Sequence, residues 1–150
     1  MRFIYPATIE RLDGEILVRF PDFPEALTGG STLAEATDLA ADALDEVVLA
    51  RLASGEGIPA PSNSSGLGEI LLVTLDPVTA ARAAVSGAMA EARLSKSALA
   101  RMMGRDEKVV RRILDGRQGI DMGTAMGALQ AMGWTAALEV EKRTDKALAD

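Results

Sequence analysis

The hydrophobic pattern of this chain changes at Asp76-Pro77. Upstream, short runs such as residues 15–20 (EILVRF) alternate apolar and polar side chains, as half-buried strands do. Downstream, apolar side chains recur at helical spacing to about Met132, in short pieces separated by glycines. An Asp followed by Pro is typical of a helix start, because proline fits the first helical position. The pattern predicts two domains, residues 1–76 and 77–141, followed by a charged tail at 142–150.

The first domain is predicted to be a small sheet with one helix, in the order βββ-α-β. Residues 2–9 alternate, and Asp13-Gly14 favours a tight hairpin turn into the second strand, residues 15–20. A short extended piece follows, and residues 70–75 (ILLVTL) predict a last, buried strand. Pro6 lacks a backbone donor, which predicts an edge position or an irregular strand. With the helical second domain, this is an α+β fold.

One long helix is predicted between the third and fourth strands, from Ser31 or Thr32 to about Ser54. Thr32 and Glu35 have the spacing of a capping box. The apolar residues fall on one face of this helix. Five carboxylates, which we call the acidic stripe, fall on the opposite face: Glu35, Asp38, Asp42, Asp45 and Glu46.

Charge is distributed unevenly between the two predicted domains. Residues 1–76 carry four Lys and Arg against thirteen Asp and Glu, a net charge of −9, whereas residues 77–150 carry twelve against nine, +3. Opposite charge indicates two modules with different partners. The chain has no Cys and no His, which excludes disulfides, thiolate or imidazole metal sites and Ser-His-Asp catalysis. Without a membrane-length apolar run or a signal-like start, we expect a cytoplasmic protein with no membrane partner.

The cations of the second domain are concentrated in residues 95–119. Gly104 is placed to end one short helix, and Asp106 to cap the next, which runs to Gly116. On that second helix the apolar side chains share one face, and the opposite face carries Lys108, Arg111, Arg112 and Asp115. Two short helices joined by a tight turn, with a cationic outer face on the second, are typical of a helix-turn-helix that binds DNA in the major groove. The alternative is a solvated charged face on a small helical bundle.

Both domains together resemble the HicB antitoxins of bacterial toxin–antitoxin pairs. The resemblance lies in YPATIE, DGEILVRFPDFPEALTGG, DALDE and GIPAPS within residues 5–62, and in residues 75–119, which are similar to that family's helix-turn-helix of the Cro/repressor type. It implies a partial ribonuclease H-like first domain that binds and blocks a small mRNA-cleaving toxin, HicA. It also implies a second domain that forms a homodimer or higher oligomer and represses its own operon by binding the promoter.

This chain departs from the repressor-type pattern after the turn glycine. An aliphatic residue usually follows that glycine, but here Arg105 does. A guanidinium is costly in a half-buried slot. Either the turn is displaced, or Arg105 extends outward toward a phosphate.

We assign roles on DNA to six residues of this segment. Lys108 and Arg112, one turn apart, are placed to bond base edges, with Glu107 beside them. Arg105, Arg111 and Arg117 are placed for phosphates.

Two acidic surfaces are available for the toxin. The first is Glu35, Asp38, Asp42 and Asp45 of the acidic stripe, whose charges would mainly speed association. The second is the segment PDFPE, where Asp22 and Glu25 flank Phe23 and would hold the bound toxin. Phe23 has an equally good alternative role in closing the core of the sheet.

Two other classes of function are weighed against an antitoxin. An enzyme with a ribonuclease H-like fold would hold metals on carboxylates, and Asp13, Asp22, Asp42 and Asp45 are available, but none lies centrally in a strand. We therefore predict no catalysis and no cofactor. A stand-alone transcription regulator would sense a ligand through its first domain, yet few polar groups converge there to form a pocket.

The end of the second domain allows two interpretations. Residues 134–141 (WTAALEVE) are either a helix end or, as their alternation favours, a short strand. Trp134 is expected to pack, with a dimer interface as one location. Five methionines at helical spacing are expected to fill the core: Met102, Met103, Met122, Met126 and Met132.

Overall fold

The computed structural model describes residues 1–142 of the 150-residue chain. Within that range the fold is α+β, as predicted, with a four-stranded antiparallel sheet and five helices. The chain divides into two compact units: the first contains Met1–Val47, Pro59–Asp76 and the described residues from Val140 onward, and the second contains Val48–Ile58 and Pro77–Glu139. Of the predicted charged tail, all but Lys142 lies outside the described residues. No helix in residues 1–142 has the length and apolarity needed to cross a membrane.

The first unit is built on an antiparallel sheet. Strands β1 (Ile4–Leu12), β2 (Glu15–Phe20) and β3 (Phe23–Gly30) follow one another as a meander, and β4 (Ile70–Thr74) pairs with the free side of β1. The turn between β1 and β2 is the predicted Asp13-Gly14 pair, with φ values of 49° and 82°. The sheet order is therefore β3-β2-β1-β4.

The prediction that Pro6 marks an edge strand is wrong for β1 as a whole, which lies in the middle of the sheet, although Pro6 itself lies where β1 has a partner on one side only. The backbone groups of Phe3 and Ile9 bond toward β4. The backbone groups of successive residues in a strand point alternately to its two neighbouring strands. Pro6 is three residues from both Phe3 and Ile9, so its nitrogen points toward the other neighbour, β2. Pairing with β2 begins only at Thr8, so no backbone donor is required at Pro6.

The strand at residues 70–74 is also not buried as predicted. β4 lies at the edge of the sheet, with Val73 facing the core and Leu72 60% exposed on the other face. An edge strand in a one-sided sheet buries only alternate residues, which a run of apolar letters does not reveal.

Helix α1 (Leu33–Ser54) matches its predicted bounds. Its first turn is capped by side chains, since the Glu35 amide donates to Thr32 Oγ1 at 3.2 Å and the Glu35 carboxylate accepts from the Ser31 amide at 2.9 Å. The carboxylate thus reaches one residue further back than a standard capping box. The core of the first unit is formed by the inner face of the sheet and by Leu33, Ala36, Ala40 and Leu44 of this helix.

The second unit is a cluster of four short helices. They are α2 (Pro77–Ala92), α3 (Lys96–Met103), α4 (Glu107–Leu114) and α5 (Met122–Ala131). Their shared core contains Val85, Leu99, Val110, Ile113 and Leu129, with Trp134 and four of the five methionines packed against it. Met102 is the exception to the predicted core role, because it is 49% exposed.

Residues 134–142 form neither of the two predicted elements. They belong to no helix and no strand within the described part of the chain. Their alternation favoured a strand, but a strand requires a partner to take its backbone hydrogen bonds.

Candidate functional site

The connection between α3 and α4 is a tight, capped turn. Gly104 adopts the left-handed conformation with φ 64°, and the amide of Arg105 donates to the carbonyl oxygen of Ala100 at 2.9 Å, which closes α3. Asp106 then caps α4, accepting from the Lys108 amide at 2.8 Å. Both glycine and cap were predicted. The Arg105 side chain is exposed, so the turn forms without burying a guanidinium. Its contact with a phosphate stays a prediction.

Helix α4 has two sharply different faces. Val110 and Ile113 are fully buried in the helical core, whereas Lys108, Arg111 and Arg112 are exposed. The buried pair fixes the rotation of the helix about its axis, so the cationic face is held toward solvent. The predicted separation of faces is confirmed for the cations, whereas Asp115 follows the end of the helix and is only partly exposed.

The cations near α4 differ in their partners. Arg111 donates to Glu107 Oε1 from Nη2 at 2.7 Å, and Arg117 Nε donates to Asp115 Oδ1 at 2.9 Å. The second bond raises the pKa of Arg117 and lowers the pKa of Asp115. For Lys108 and Arg112 the structure gives no acidic partner among the described residues. These two cations are available to a ligand, and so is the exposed Arg105.

The sequence analysis missed Arg82, which holds the end of α4. It lies on α2 and is only 4% exposed. Its Nη1 donates to the carbonyl oxygens of Arg112 at 2.8 Å, Ile113 at 3.0 Å and Asp115 at 3.1 Å, and Nη2 donates to that of Gln118. Burial lowers the pKa of this guanidinium, while the charge of Asp115 opposes that shift.

The contacts of Arg82 are those of a helix C-cap made by a side chain. The last carbonyls of a helix have no partner within it, and an arginine fork satisfies several at once. The sequence contained one signal for this role: Arg82 is the single charged residue in the Ala-rich run VTAARAAV. A charge on a helix face that is otherwise apolar is buried only if it has a partner.

The acidic stripe is only partly exposed to solvent. Asp38, Asp42 and Glu46 are exposed on α1, as predicted. Glu35 is occupied in capping the helix, and its bonds with Ser31 lower its pKa. Asp45 departs from the prediction, because it is half-buried and accepts from the Asp76 amide at 3.0 Å. Its burial raises its pKa.

The segment PDFPE is folded into the first unit. Phe23 is 0% exposed, and its ring meets that of Tyr5 edge-on with the centroids 5.0 Å apart. Asp22 accepts from the Ser62 amide at 3.0 Å and from its hydroxyl at 3.2 Å. The Tyr5 hydroxyl donates to the Pro59 carbonyl oxygen at 2.8 Å. Phe23 therefore closes the core, and its assignment as a toxin contact is corrected by its complete burial.

The two rival functions would need a metal site or a ligand pocket. Among residues 1–142, no group of three or more Asp or Glu side chains is placed to hold a metal. A depression beside the hairpin of the first unit is lined by residues 11–16, Ser31 and Thr32. It is open to solvent, and its lining combines the ends of β1 and β2 with the hairpin turn and the residues before α1.

Comparison with known proteins gives a consistent identity over most of the chain. The chain is 34% identical over 129 residues to antitoxin HicB 2 of Photorhabdus laumondii, covering 86% of this chain and 90% of that protein. It is 33% identical over 138 residues to antitoxin HicB 1 of the same organism, covering 91% and 86%. Antitoxin HicB of Escherichia coli K12 is 29% identical over 130 residues, covering 86% and 93%. No family model matches the chain. On the two relatives above 30% identity, this chain belongs to the HicB antitoxin family.

Proposed function

We propose that this protein is an antitoxin that neutralises a HicA-type mRNA-cleaving toxin by direct binding and represses its own operon as a DNA-binding homodimer. In this proposal the first domain, a partial ribonuclease H-like module, binds the toxin. The second acts as a helix-turn-helix of the Cro/repressor type, with α3, the turn at Gly104 and α4 as its motif. The observation that carries the DNA-binding half is the exposed cationic face of α4, opposite the buried Val110 and Ile113.

Two features of α4 support DNA binding over a merely solvated face. Lys108 and Arg112 lie one turn apart, without acidic partners among the described residues. Arg82 fixes the end of the same helix with buried hydrogen bonds. A base-contacting side chain discriminates well only if its backbone is held in place. Arg105, Arg111 and Arg117 surround the pair and are proposed to contact phosphates, with Glu107 orienting Arg111.

The DNA-binding half is tested with duplex DNA from the region upstream of the protein's own reading frame. Fluorescence anisotropy should show tighter binding to this duplex than to a scrambled one of equal composition. The double variant Lys108→Ala, Arg112→Ala should lose about tenfold or more in affinity for the specific duplex. Arg2→Ala with Arg19→Ala removes the same charge from the first domain and should retain specificity. Unchanged binding by the α4 variant, with its circular dichroism intact, would refute the assignment.

The toxin-binding half is supported by the −9 charge of residues 1–76. A toxin that binds RNA needs a basic surface, and an acidic antitoxin would be attracted to that surface and cover it. Asp38 and Asp42 of the acidic stripe are the exposed charges best placed for this role, together with Glu25 on the sheet. Asp22, Glu35 and Asp45 are proposed to hold the surface in shape, since each is engaged within the first unit.

Separate variants of the full chain test this division between toxin and DNA. Co-expression with the adjacent toxin should show that Lys108→Ala, Arg112→Ala protects growth as well as the wild-type chain. Asp38→Lys with Asp42→Lys should protect less. Glu10→Lys with Glu15→Lys makes the same charge change on the hairpin and serves as the matched control. Loss of protection by the α4 variant alone would contradict the proposed division.

A further inference from the structure

Four of the five helices in residues 1–142 end in the same pair of backbone hydrogen bonds. One residue just past the helix donates to the carbonyl oxygen three positions back, and the next residue donates to the one five positions back. These endings lie at residues 55–56, 93–94, 104–105 and 133–134. The first residue of each pair is left-handed, a conformation that favours glycine.

Helix α2 differs from the other three in the residue at this position. Arg93 occupies it with φ 53°, whereas α1, α3 and α5 have Gly55, Gly104 and Gly133 there. A residue with a Cβ is strained in this conformation, and arginine lacks the short polar group that lets Asn or Asp adopt it. Asp13, the other non-glycine residue with positive φ in the described chain, has that group and lies in the hairpin turn. A strained residue where glycine would fit indicates a role for its side chain.

The role of the Arg93 side chain does not lie in a contact within the described residues. The side chain is exposed, and the structure gives it no hydrogen bond and no ion pair in residues 1–142. Its backbone, in contrast, is held on both sides. The Leu94 amide donates to the Met89 carbonyl oxygen at 2.9 Å, and Ser95 Oγ caps α3 by accepting from the Ala98 amide at 3.1 Å. A ligand of Arg93 would therefore meet a cation whose backbone is already ordered.

The charge around Arg93 favours an anionic partner. Residues 92–105 contain four cations and no acidic residue: Arg93, Lys96, Arg101 and Arg105. A basic toxin would be repelled by this stretch, whereas DNA would be attracted to it. In a helix-turn-helix the first helix crosses the sugar–phosphate backbone, so the turn that leads into α3 would lie beside phosphates and not beside base edges.

We propose that Arg93 contacts a phosphate of bound DNA, and that this contact is the reason for an arginine at a position where glycine would be unstrained. The inference rests on the proposed function, because it needs α3 and α4 to act as the helix-turn-helix. It adds a contact that lies before that motif, whereas the DNA contacts assigned above all lie at or after its turn. Stability and DNA affinity should therefore change in opposite directions when Arg93 is replaced by glycine.

The variant Arg93→Gly tests both halves of this statement in the full-length protein. The urea midpoint reported by Trp134 fluorescence should rise, because relief of the left-handed strain exceeds the freedom that glycine adds to the unfolded chain. In anisotropy titrations the variant should bind the upstream and the scrambled duplex severalfold more weakly. The slope of log affinity against log salt should become shallower by about 0.9 for each bound copy.

Two matched variants control for charge and for strain. Arg93→Lys keeps a cation and the left-handed strain, so it should resemble the wild-type chain in stability and in salt dependence. Arg19→Ala removes one exposed cation from the first unit and should leave the salt dependence unchanged. An equal change of slope in Arg19→Ala and Arg93→Gly would reflect net charge alone and would overturn the inference.

The remaining outcomes distinguish this inference from the proposed function. If the wild-type chain binds its upstream duplex and Arg93→Gly binds it with the same affinity and salt dependence, Arg93 contacts no phosphate and the proposed function stands. An Arg93→Gly chain less stable than the wild type would show that the arginine supports the fold, and would also overturn the inference. If the wild-type chain binds neither duplex, the proposed function fails and this inference fails with it.

Discussion

The Nη1 atom of Arg82 lies 3.0 Å from the carbonyl oxygen of Ile113, deep in the helical unit. The guanidinium of α2 thus reaches the last turn of α4, where backbone oxygens have no partner within the helix. The same nitrogen also donates to the carbonyl oxygen of Arg112 at 2.8 Å. One buried side chain therefore holds the helix that we propose to bind DNA.

Replacing Arg82 should destabilise the second unit. Arg82→Met keeps most of the apolar stem but leaves buried carbonyl oxygens without donors, so we expect the free energy of unfolding to fall by at least about 2 kcal/mol. Arg82→Lys should recover only part of this loss, because one ammonium cannot reproduce the fork of donors. Trp134, the only tryptophan, packs on the helical core, so its fluorescence in a urea titration reports this unit. Arg101→Met, an exposed site on α3, should change stability little, and an equal loss there would contradict the role given to Arg82.

Arg112 and Arg117 should affect DNA binding in different ways. Arg112→Ala should cost about 1–3 kcal/mol on the specific duplex and relax its preference over a scrambled one. Arg117→Ala should weaken binding to both duplexes alike and reduce the dependence of affinity on salt, as the loss of a phosphate contact does. Anisotropy titrations at several salt concentrations measure both quantities. If both variants lose the same specificity and the same salt dependence, Arg112 is not a base contact distinct from a phosphate contact at Arg117.

Charge reversal on α1 should slow the approach of the toxin. Asp38→Lys with Asp42→Lys removes the attraction between an acidic antitoxin and a basic partner, and exposed charges of this kind act mainly on association. Surface plasmon resonance should show a lower association rate with nearly unchanged dissociation, most clearly at low salt.

The double variant Asp22→Ala, Glu25→Ala should change toxin binding differently from the charge reversal on α1. We expect faster dissociation, because Asp22 holds Ser62 and its loss would loosen the loop beside Glu25. Circular dichroism confirms that both variants fold. If charge reversal on α1 speeds dissociation instead, the main contact lies on the helix.

The half-buried carboxyl of Asp45 should make the first unit respond to pH. Burial raises its pKa above the ordinary value near 3.8, and the charges of Asp76 and Asp42 add to the shift, although the Asp76 amide opposes it. A raised folded pKa means that the favourable contribution is present below the unfolded pKa and is lost as pH rises through the folded one.

Asp45→Asn keeps an acceptor for the Asp76 amide and removes the charge. At pH 7 the variant should therefore unfold at a higher urea concentration than the wild-type chain, and this advantage should vanish below about pH 4. Glu46→Gln, an exposed neighbour on the same helix, should show no such pH-dependent advantage. A variant that is less stable than wild type at pH 7 would show that the carboxylate contributes more through its hydrogen bond than it costs through burial.

Local signals predicted much of this fold because their physics is local. Asp13-Gly14 and Gly104 were predictable because tight turns and helix ends need positive φ. Asp106 was predictable because its side chain caps the following turn. The two faces of α4 followed from helical periodicity alone.

The errors came from features that depend on distant residues. Pro6 is acceptable in a central strand only because of where β2 ends, and β4 is an edge strand only because of sheet order. Asp45 was predicted as a surface charge, and Phe23 as either a toxin contact or a core residue. The Asp76 amide and Tyr5 meet them across 31 and 18 positions of sequence. Arg82 binds backbone oxygens at a separation of up to 36 residues, and no pairing of residue types predicts such a contact.

Because Arg82 holds α4 through the backbone carbonyl oxygens of that helix, its support does not depend on which side chains the helix presents to solvent. A carbonyl is present at every position, whatever residue occupies it. Substitutions at Lys108, Arg111 or Arg112 leave the oxygens that Arg82 binds in place. Under the proposed function, the outward residues are then free to diverge, and new operator sequences become accessible to this scaffold without the helix having to be stabilised again.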